Sequence, residues 1–540
     1  MLREPAGPSG DVVGNGPPKG ETQVADFGFW AMAQEEPGHL ALVGPDGTEL
    51  KAGELLHRAN QVVHGLRALG LEPGDTIAFV LPNSIEVFEI YLAALQAGWY
   101  IVPINHHLVA PEIAYIVSDA EAQVFIGHER FADMCIDAAE EAGIPASRCL
   151  AVGDIPGFAS YADMRDNQKT DLPDNRSLGD TMNYTSGTTG NPKGVRRGLS
   201  GVNPDDAAIG LGGLLLLFGI QSRDDNVHIV GSPLYHTAVL RFSGAPIHMG
   251  HTVVLMDKWT GEAMLELIER YRVTHSHMVP TQFHRLLALP EETRHRYDLS
   301  SLRHMIHAAA PCPIDTKHAM IAWWGPVIDE YYAASEGGGT IVNTEEWLAK
   351  PGTVGKPWPI SEIAIFDDDG NRLGPNQIGT VYMAMSGGAN FEYHKDKEKT
   401  EKNRIGKFFT VGDVGYLDDD DFLFLSDRKI DMIISGGANI YPAEIENVLL
   451  SHPQVVDAAV FGSPDDDWGE QVKAVIEPVD GVEGTPELAE EILAWCEGRL
   501  AKFKTPKTID FTHEMPRDPN GKLYKRKLRD PYWEGRDRAV

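Results

Sequence analysis

The sequence predicts an α/β protein: a large N-terminal domain of parallel α/β sheets with a small antiparallel β portion, followed by a small α+β C-terminal domain. Three observations predict it. Short apolar runs alternate with helical patterns through the first two thirds of the chain. Shorter strands broken by turn signals begin near Pro351. A last portion, from about residue 430, has strands and helices of its own.

The first signal is clearest in "DTIAFVLPNSIEVFEIYLAALQAGWYIVPI", which reads as a strand (Ile77 to Leu81), a helix ending at Gly98 and a second strand (Tyr100 to Ile104). The pattern returns as a helix near Pro111 to Val117 followed by "AQVFIG". It returns again as "HTVVLM", the helix "GEAMLELIERY" and the strand "THSHMVP". Apolar strands separated by helices require a parallel sheet covered on both faces. The run "AAIGLGGLLLLFGI", Ala207 to Ile220, is too short to cross a bilayer and is expected as a buried helix. In "EIAIFDDDGNRLGPNQIGTVYMA" the Asp369-Gly370 pair is a turn signal between antiparallel strands. "DAAVFG" and "QVKAVIEP" read as strands of the last portion. The expected organisation is a flexible tail over 1–22, a large domain over 23–429 and a mobile domain over 430–540, with a hinge between the two bodies.

Composition narrows the class. A chain of 540 residues, 42% hydrophobic and 23% charged, is an ordinary globular protein of several domains. Its 47 Lys and Arg stand against 79 Asp and Glu, a net charge of −32. That field repels phosphate backbones and lipid headgroups, so neither nucleic acid nor a membrane is an expected partner. An anionic small molecule needs a discrete pocket of local cations and backbone N–H groups. Cys135, Cys149, Cys312 and Cys496 lie far apart with no CxxC pair, which suggests no disulfide framework or zinc site and suits a reducing cytoplasm. The opening "MLREPAGPSGDVVGNGPPKGET" has no apolar core and reads as a tail, not a secretory signal. The acidic run Asp418 to Asp421 lacks the spaced oxygens and closing Glu of a calcium loop and reads as a solvated hairpin tip.

The chemistry starts at "NYTSGTTGNPKGVRR", residues 183–197. Thr185, Ser186, Gly187, Thr188, Thr189 and Gly190 offer hydroxyls and backbone N–H groups on a chain with little bulk, which is how a loop wraps an anion. Lys193 adds a mobile positive charge. The spacing is not that of a Walker loop, because Pro192 directly precedes Lys193 and Gly194 follows it. Taken alone, the stretch is equally a plain polar loop.

It does not stand alone. "PLYHTA" (233–238), "AAAPCP" (308–313), "EYYAASE" (330–336), "VGDVGYL" (411–417), "SDRKIDMIISGGANIYPAEIE" (426–446) and "PRDPNGKLYKRKLR" (516–529) follow in order. With these segments the chain resembles the acyl-adenylate-forming superfamily, and within it the AMP-forming acyl-CoA synthetases, over most of its length beyond the tail.

The resemblance implies a two-step ligase. A carboxylate attacks the α-phosphorus of ATP to give acyl-AMP and pyrophosphate, and CoA then takes the acyl group. It implies that the loop Thr185 to Lys193 holds the β- and γ-phosphates and that Ala309 and Ala310 lie at the nucleotide. Ser335 stands where the family usually has a threonine near the α-phosphate. Tyr332 is implied against adenine, Asp413 as acceptor from both ribose hydroxyls, and Arg428 as donor to the same sugar or a nearby oxygen. Glu336 is implied to hold Mg2+, a hard cation suited to a carboxylate. Lys522 is implied to be the catalytic lysine of a small, mobile C-terminal domain, bridging carboxylate, ribose and phosphate oxygens during adenylation. Gly436 and Gly437 are implied beside the pantetheine channel, and His236 and Ala333 in the acid pocket. The expected partners are a small carboxylic acid, ATP and CoA, with a homodimer as a further expectation.

The chain also departs from the family pattern. Ala333 replaces the usual glycine after the adenine tyrosine, Ala308 to Ala310 stand where glycines are common, and Ile430 occupies the hinge position that usually carries Asp or Lys. Ala308 to Ala310, Ala333, Ala334 and Gly337 to Gly339 leave room for a wide acid such as a fused-ring terpenoid or steroid carboxylate. The same small residues equally serve close approach of the nucleotide, and a medium- or long-chain fatty acid stays open. Two other functions are carried: an adenylating enzyme that loads a carrier protein, and a silent relative that binds only nucleotide or acid. The presence of Glu336 and Lys522, and the lack of a fused carrier motif in this sequence, favour the ligase.

Overall fold

In a computed structural model of the chain, the described residues are 27–185, 192–334, 337–385, 391–395, 401, 403–428, 431–435, 438–465, 468–517 and 523–534. The expected tail over 1–22 therefore lies outside them.

Two parallel sheets dominate the first part. The six-stranded sheet runs Ala159–Ser160, Cys149–Val152, Ala122–His128, Thr76–Val80, Tyr100–Pro103, Asp180–Thr181, parallel throughout. Its βαβ unit is the one the apolar periodicity marks: strand Thr76–Val80, helix Ile85–Ala97, strand Tyr100–Pro103. The helix stops at Gly98, whose φ of 76° is the left-handed C-terminal turn that glycine takes without steric cost. The nine-stranded sheet runs Lys356–Pro357, Gly339–Val342, Ile328–Ala333, His304–His307, His275–Met278, Val227–Val230, Thr252–Leu255, Leu40–Val43, Glu49–Lys51. Its inner strands are parallel and its edges antiparallel. Helix Gly261–Tyr271 joins two of these strands, opened by the Thr260 hydroxyl, which accepts the Ala263 N–H. One core joins the sheets: Leu42, Val230 and Val253 cluster with Ile77, Phe79 and Ile101 around helices Ala52–Ala68 and Ile85–Ala97.

Beyond Pro351 the pairing turns antiparallel, as the turn-rich texture requires. Ser361–Phe366 pairs with Gly379–Met385, and Asp413–Leu417 pairs with Leu423–Arg428 in the same sheet. Asp369-Gly370 sits in a tight turn closed by the Asp367 and Asn371 backbones. The acidic tip is held by lysine: Lys350 bridges Asp418 and Asp420, the latter at 2.6 Å. A further sheet takes all its strands from 433–511, with Val455–Asp465 and Gly469–Pro478 as its long hairpin and helices Pro442–Leu450 and Pro486–Cys496 beside it.

One expectation is corrected. Ala207 to Ile220 is not one buried helix but a short helix, Ala208–Gly212, followed by a 3-10 turn over Gly213–Phe218. Ile209 is 62% exposed and Leu216 37%. The run is uniformly apolar with Gly210, Gly212 and Gly213 inside it, so it has neither the 3.6-residue stripe nor the backbone stiffness of a core helix. All four cysteines are free. Among the described residues no helix is long and apolar enough to cross a membrane.

Candidate active site

In an open parallel sheet the backbone leaves its ladder at the carboxyl ends of the strands, and ligands bind in the crevice there. In the nine-stranded sheet these ends deliver Ala308, Ala309 and Ala310 after His304–His307, and Tyr332 and Ala333 at the close of Ile328–Ala333. Strand Val227–Val230 leads through a loop to His236, which caps helix Thr237–His248. Asn83 from the other sheet holds that loop. Its amide donates to the carbonyls of Ser232 (3.0 Å) and Met256 (2.9 Å), and its carbonyl accepts the Leu234 N–H (2.8 Å). Sequence reasoning passed over Asn83, because a lone Asn after a strand reads as a turn residue.

The expected phosphate loop lies between two antiparallel strands. Thr185, the last residue of Asn183–Thr185, pairs directly with Lys193, the first of Lys193–Arg197. The pairing closes the base of the loop and sets Lys193 at its mouth. Ser186, Gly187, Thr188 and Thr189, and the Thr185 side chain, lie outside the described residues.

The nucleoside candidates are brought together from separate sheets. The Tyr332 hydroxyl donates to Asp413 Oδ2 at 2.5 Å across the junction of the parallel and antiparallel sheets. Asp413, only 8% exposed, is oriented by that charge-assisted bond. In the antiparallel ladder Asp413 stands opposite Arg428, so the two ribose candidates are neighbours by register; the Arg428 side chain is not among those described. Ala309 is exposed and takes a φ of 75°, a left-handed conformation that is rare for a residue with a Cβ.

A buried ion pair braces this edge. Lys317 Nζ donates to Glu330 Oε2 at 2.6 Å, and His307 Nε2 lies 3.5 Å from the same oxygen. It ties helix Ile314–Trp324 to strand Ile328–Ala333 directly beneath the alanine loop. Burial raises the Glu330 carboxyl and holds His307 well below the usual imidazole range.

Ser335, Glu336, Ile430, Gly436, Gly437 and Lys522 lie outside the described residues. Among the described residues no group of three His, Cys, Asp or Glu side chains is gathered for a metal. Magnesium carried on a nucleotide needs no such cage, only a carboxylate beside phosphate oxygens and waters. The hairpin mouth with Lys193 suits the phosphates, and Glu336 is the carboxylate expected for the ion.

Comparison with known proteins gives the family. Residues 29–390 match the AMP-binding enzyme family, and residues 444–522 match the AMP-binding enzyme C-terminal domain. A feruloyl-CoA synthase of an Amycolatopsis species is 33% identical over 509 residues, 93% of this chain and 98% of that one. A fatty acid–[acyl-carrier-protein] ligase of Streptomyces coeruleorubidus is 30% identical over 533 residues, 97% of this chain and 99% of that one. The solved structure of an anthranilate CoA ligase in complex with anthranoyl-AMP superposes with a TM-score of 0.82 at 26% identity, covering 93% of this chain and 96% of that one. The chain thus belongs to the AMP-binding enzyme family, within the acyl-adenylate-forming superfamily and of its acid–CoA ligase type.

Proposed function

We propose that the protein activates a flat, ring-bearing carboxylic acid with ATP and transfers the acyl group from acyl-AMP to CoA. The observation that carries the nucleotide half is the Tyr332–Asp413 hydrogen bond, which sets an aromatic face and a carboxylate side by side at the carboxyl edge of the parallel sheet. The Tyr332 ring offers adenine a stacking surface, and Asp413 can accept from both ribose hydroxyls. Lys193 and the hairpin loop hold the leaving pyrophosphate, where negative charge builds as the carboxylate oxygen attacks the α-phosphorus. Magnesium, held by Glu336 and the phosphates, would neutralise part of that charge. Lys522 supplies the cation at the attacking carboxylate, and the swing of the unit that carries it, about the segment between Arg428 and Ile433, then admits the thiol beside Gly436 and Gly437.

Similarity to a feruloyl-CoA synthase and an anthranilate CoA ligase supports a ring-bearing acid and CoA as acceptor. Similarity to a fatty acid–[acyl-carrier-protein] ligase keeps a second reading, transfer of a fatty acyl group to a carrier protein.

The test is a panel of cinnamate-type, fused-ring and linear acids with ATP and Mg2+, measuring pyrophosphate release with and without CoA. A ring acid that gives pyrophosphate and a CoA thioester supports the reading. Pyrophosphate with no thioester favours the carrier-protein reading, and no release from any acid contradicts both. Lys522→Ala is expected to slow pyrophosphate release about 100-fold or more while leaving thioester formation from synthetic acyl-AMP nearly intact. Equal loss in both halves would contradict the domain swing.

A further inference from the structure

Directly behind the alanines of the site stands a layer of aromatic rings. Tyr331 lies two residues before Ala333 on the same strand and hence on the same face, about 6.6 Å further in. Phe242 lies under two turns into the helix that His236 caps. The two rings stack with centroids 5.1 Å apart at 29°. Phe218 meets them edge-on, at 5.8 Å from Phe242 and 6.3 Å from Tyr331, and His277 lies 4.9 Å from Phe242. All four are buried, in one cluster with Ala308 or in ring contact with it. On the outer side Gly339 permits the wall to close. A Cβ there would stand 2.3 Å from the Tyr332 carbonyl oxygen and 2.9 Å from both Ala333 Cβ and Trp358 Cη2.

The layer is pinned. Tyr331 shares a 2.9 Å hydrogen bond with His277 Nε2, and His277 Nδ1, closed off from solvent, has no partner among the described residues. Displacing Tyr331 would leave both ring nitrogens of a buried imidazole unpaired, which is costly. A linear acid long enough to pass Ala308 and Ala333 must push Phe242 or Tyr331 out of this packing. A flat acid can lie above the layer and use the ring faces.

We infer that Phe242 and Tyr331, with His277 positioning the tyrosine, set the depth of the acid pocket at about one ring and select against long linear acids. This rests on the acid–CoA ligase reading and specifies its substrate.

The experiment compares kcat/KM for a cinnamate-type acid and for decanoate in the wild type, Phe242→Ala, Tyr331→Ala and the milder Phe242→Leu and Tyr331→Phe, with folding checked by circular dichroism. The wild type is expected to favour the ring acid by about 100-fold or more. Phe242→Ala and Tyr331→Ala should each shift the ratio towards decanoate by about tenfold or more, mainly through KM. Phe242→Leu should shift it less and in the same direction, and it carries the test if the alanine variants do not fold. Tyr331→Phe keeps the ring and loses only the bond to His277, so it should move the ratio least. A wild type that uses decanoate as well as the ring acid, or folded variants with an unchanged ratio, would overturn the inference while leaving the ligase reading intact. No turnover by the wild type of either acid or of any other acid in the panel would remove that reading and the inference with it.

Discussion

The two parallel sheets share a topology and differ in what they bury. In the six-stranded sheet Thr76–Val80 and Tyr100–Pro103 are buried along their whole length and almost wholly apolar. In the nine-stranded sheet the equivalent inner strands read "HSHM", "HMIH" and "IDEYYA", and their buried residues include His275, Ser276, His277, His307, Asp329 and Glu330. Buried polar groups cost stability unless they are paired. They are concentrated in the sheet whose edge carries Tyr332 and the alanine loop. One sheet buries apolar strands, and the other buries polar ones beside the candidate site.

The largest effect that separates them is acid sensitivity. Six imidazoles in and around the nine-stranded sheet, His228, His248, His251, His275, His277 and His307, are kept neutral chiefly by burial. His228 and His248 are pushed down to about 3, and His251 and His277 to about 4, from the ordinary 6.5. The unfolded chain therefore takes up protons first as pH falls. The stability these groups contribute is complete above about pH 6.5 and is lost as pH drops from there towards 4 and 3. All six act in the same direction, at about 1 kcal/mol per pH unit for each proton the unfolded chain takes up in excess. Hydrogen exchange followed from pH 7 to 4 should open 227–230, 275–278 and 304–307 before 76–80 and 100–103. Simultaneous opening, or none above pH 4, would erase the contrast.

Next in size is the Lys317–Glu330 pair. Lys317→Met leaves a buried carboxylate unpaired and should cost about 3 to 5 kcal/mol in urea unfolding. Lys317→Met with Glu330→Leu should recover much of that. A single variant as stable as the wild type would mean the pair does not brace the alanine loop.

The smallest effect is at Ala309. Its left-handed φ costs about 1 kcal/mol or somewhat more with a Cβ, and glycine gives back part of the gain as unfolded-state entropy. Ala309→Gly should therefore raise stability by about 0.5 kcal/mol. A loss of that size would mean the methyl packs favourably and the strain is not real.

The same contrast explains what could be read in the sequence. The six-stranded sheet follows from apolar runs and the Gly98 stop alone. "THSHMVP" is legible as a strand through its spacing between helices, whereas "HMIH" and "IDEYYA" carry too much polarity to announce burial. Tyr332 and Asp413, 81 positions apart, come together only through the resemblance, since no local pattern links them. The composition around Lys193 suggests an anion loop, whereas the direct pairing of Lys193 with Thr185 follows only from the strand register. The layer of Phe218, Phe242, His277 and Tyr331 is drawn from four separate elements and has no signature in any one of them. Ala207 to Ile220 misled for the opposite reason: uniform apolarity without a stripe does not specify a helix.

The central claim is that the carboxylate attacks the α-phosphorus of ATP at the edge of the nine-stranded sheet. Its most direct test uses an acid doubly labelled with 18O in the carboxylate, turned over with ATP, Mg2+ and CoA, and mass spectrometry of the products. Acyl-AMP formation requires one labelled oxygen to leave in AMP and none in pyrophosphate. Label in inorganic phosphate together with ADP, or unlabelled AMP, would contradict the account.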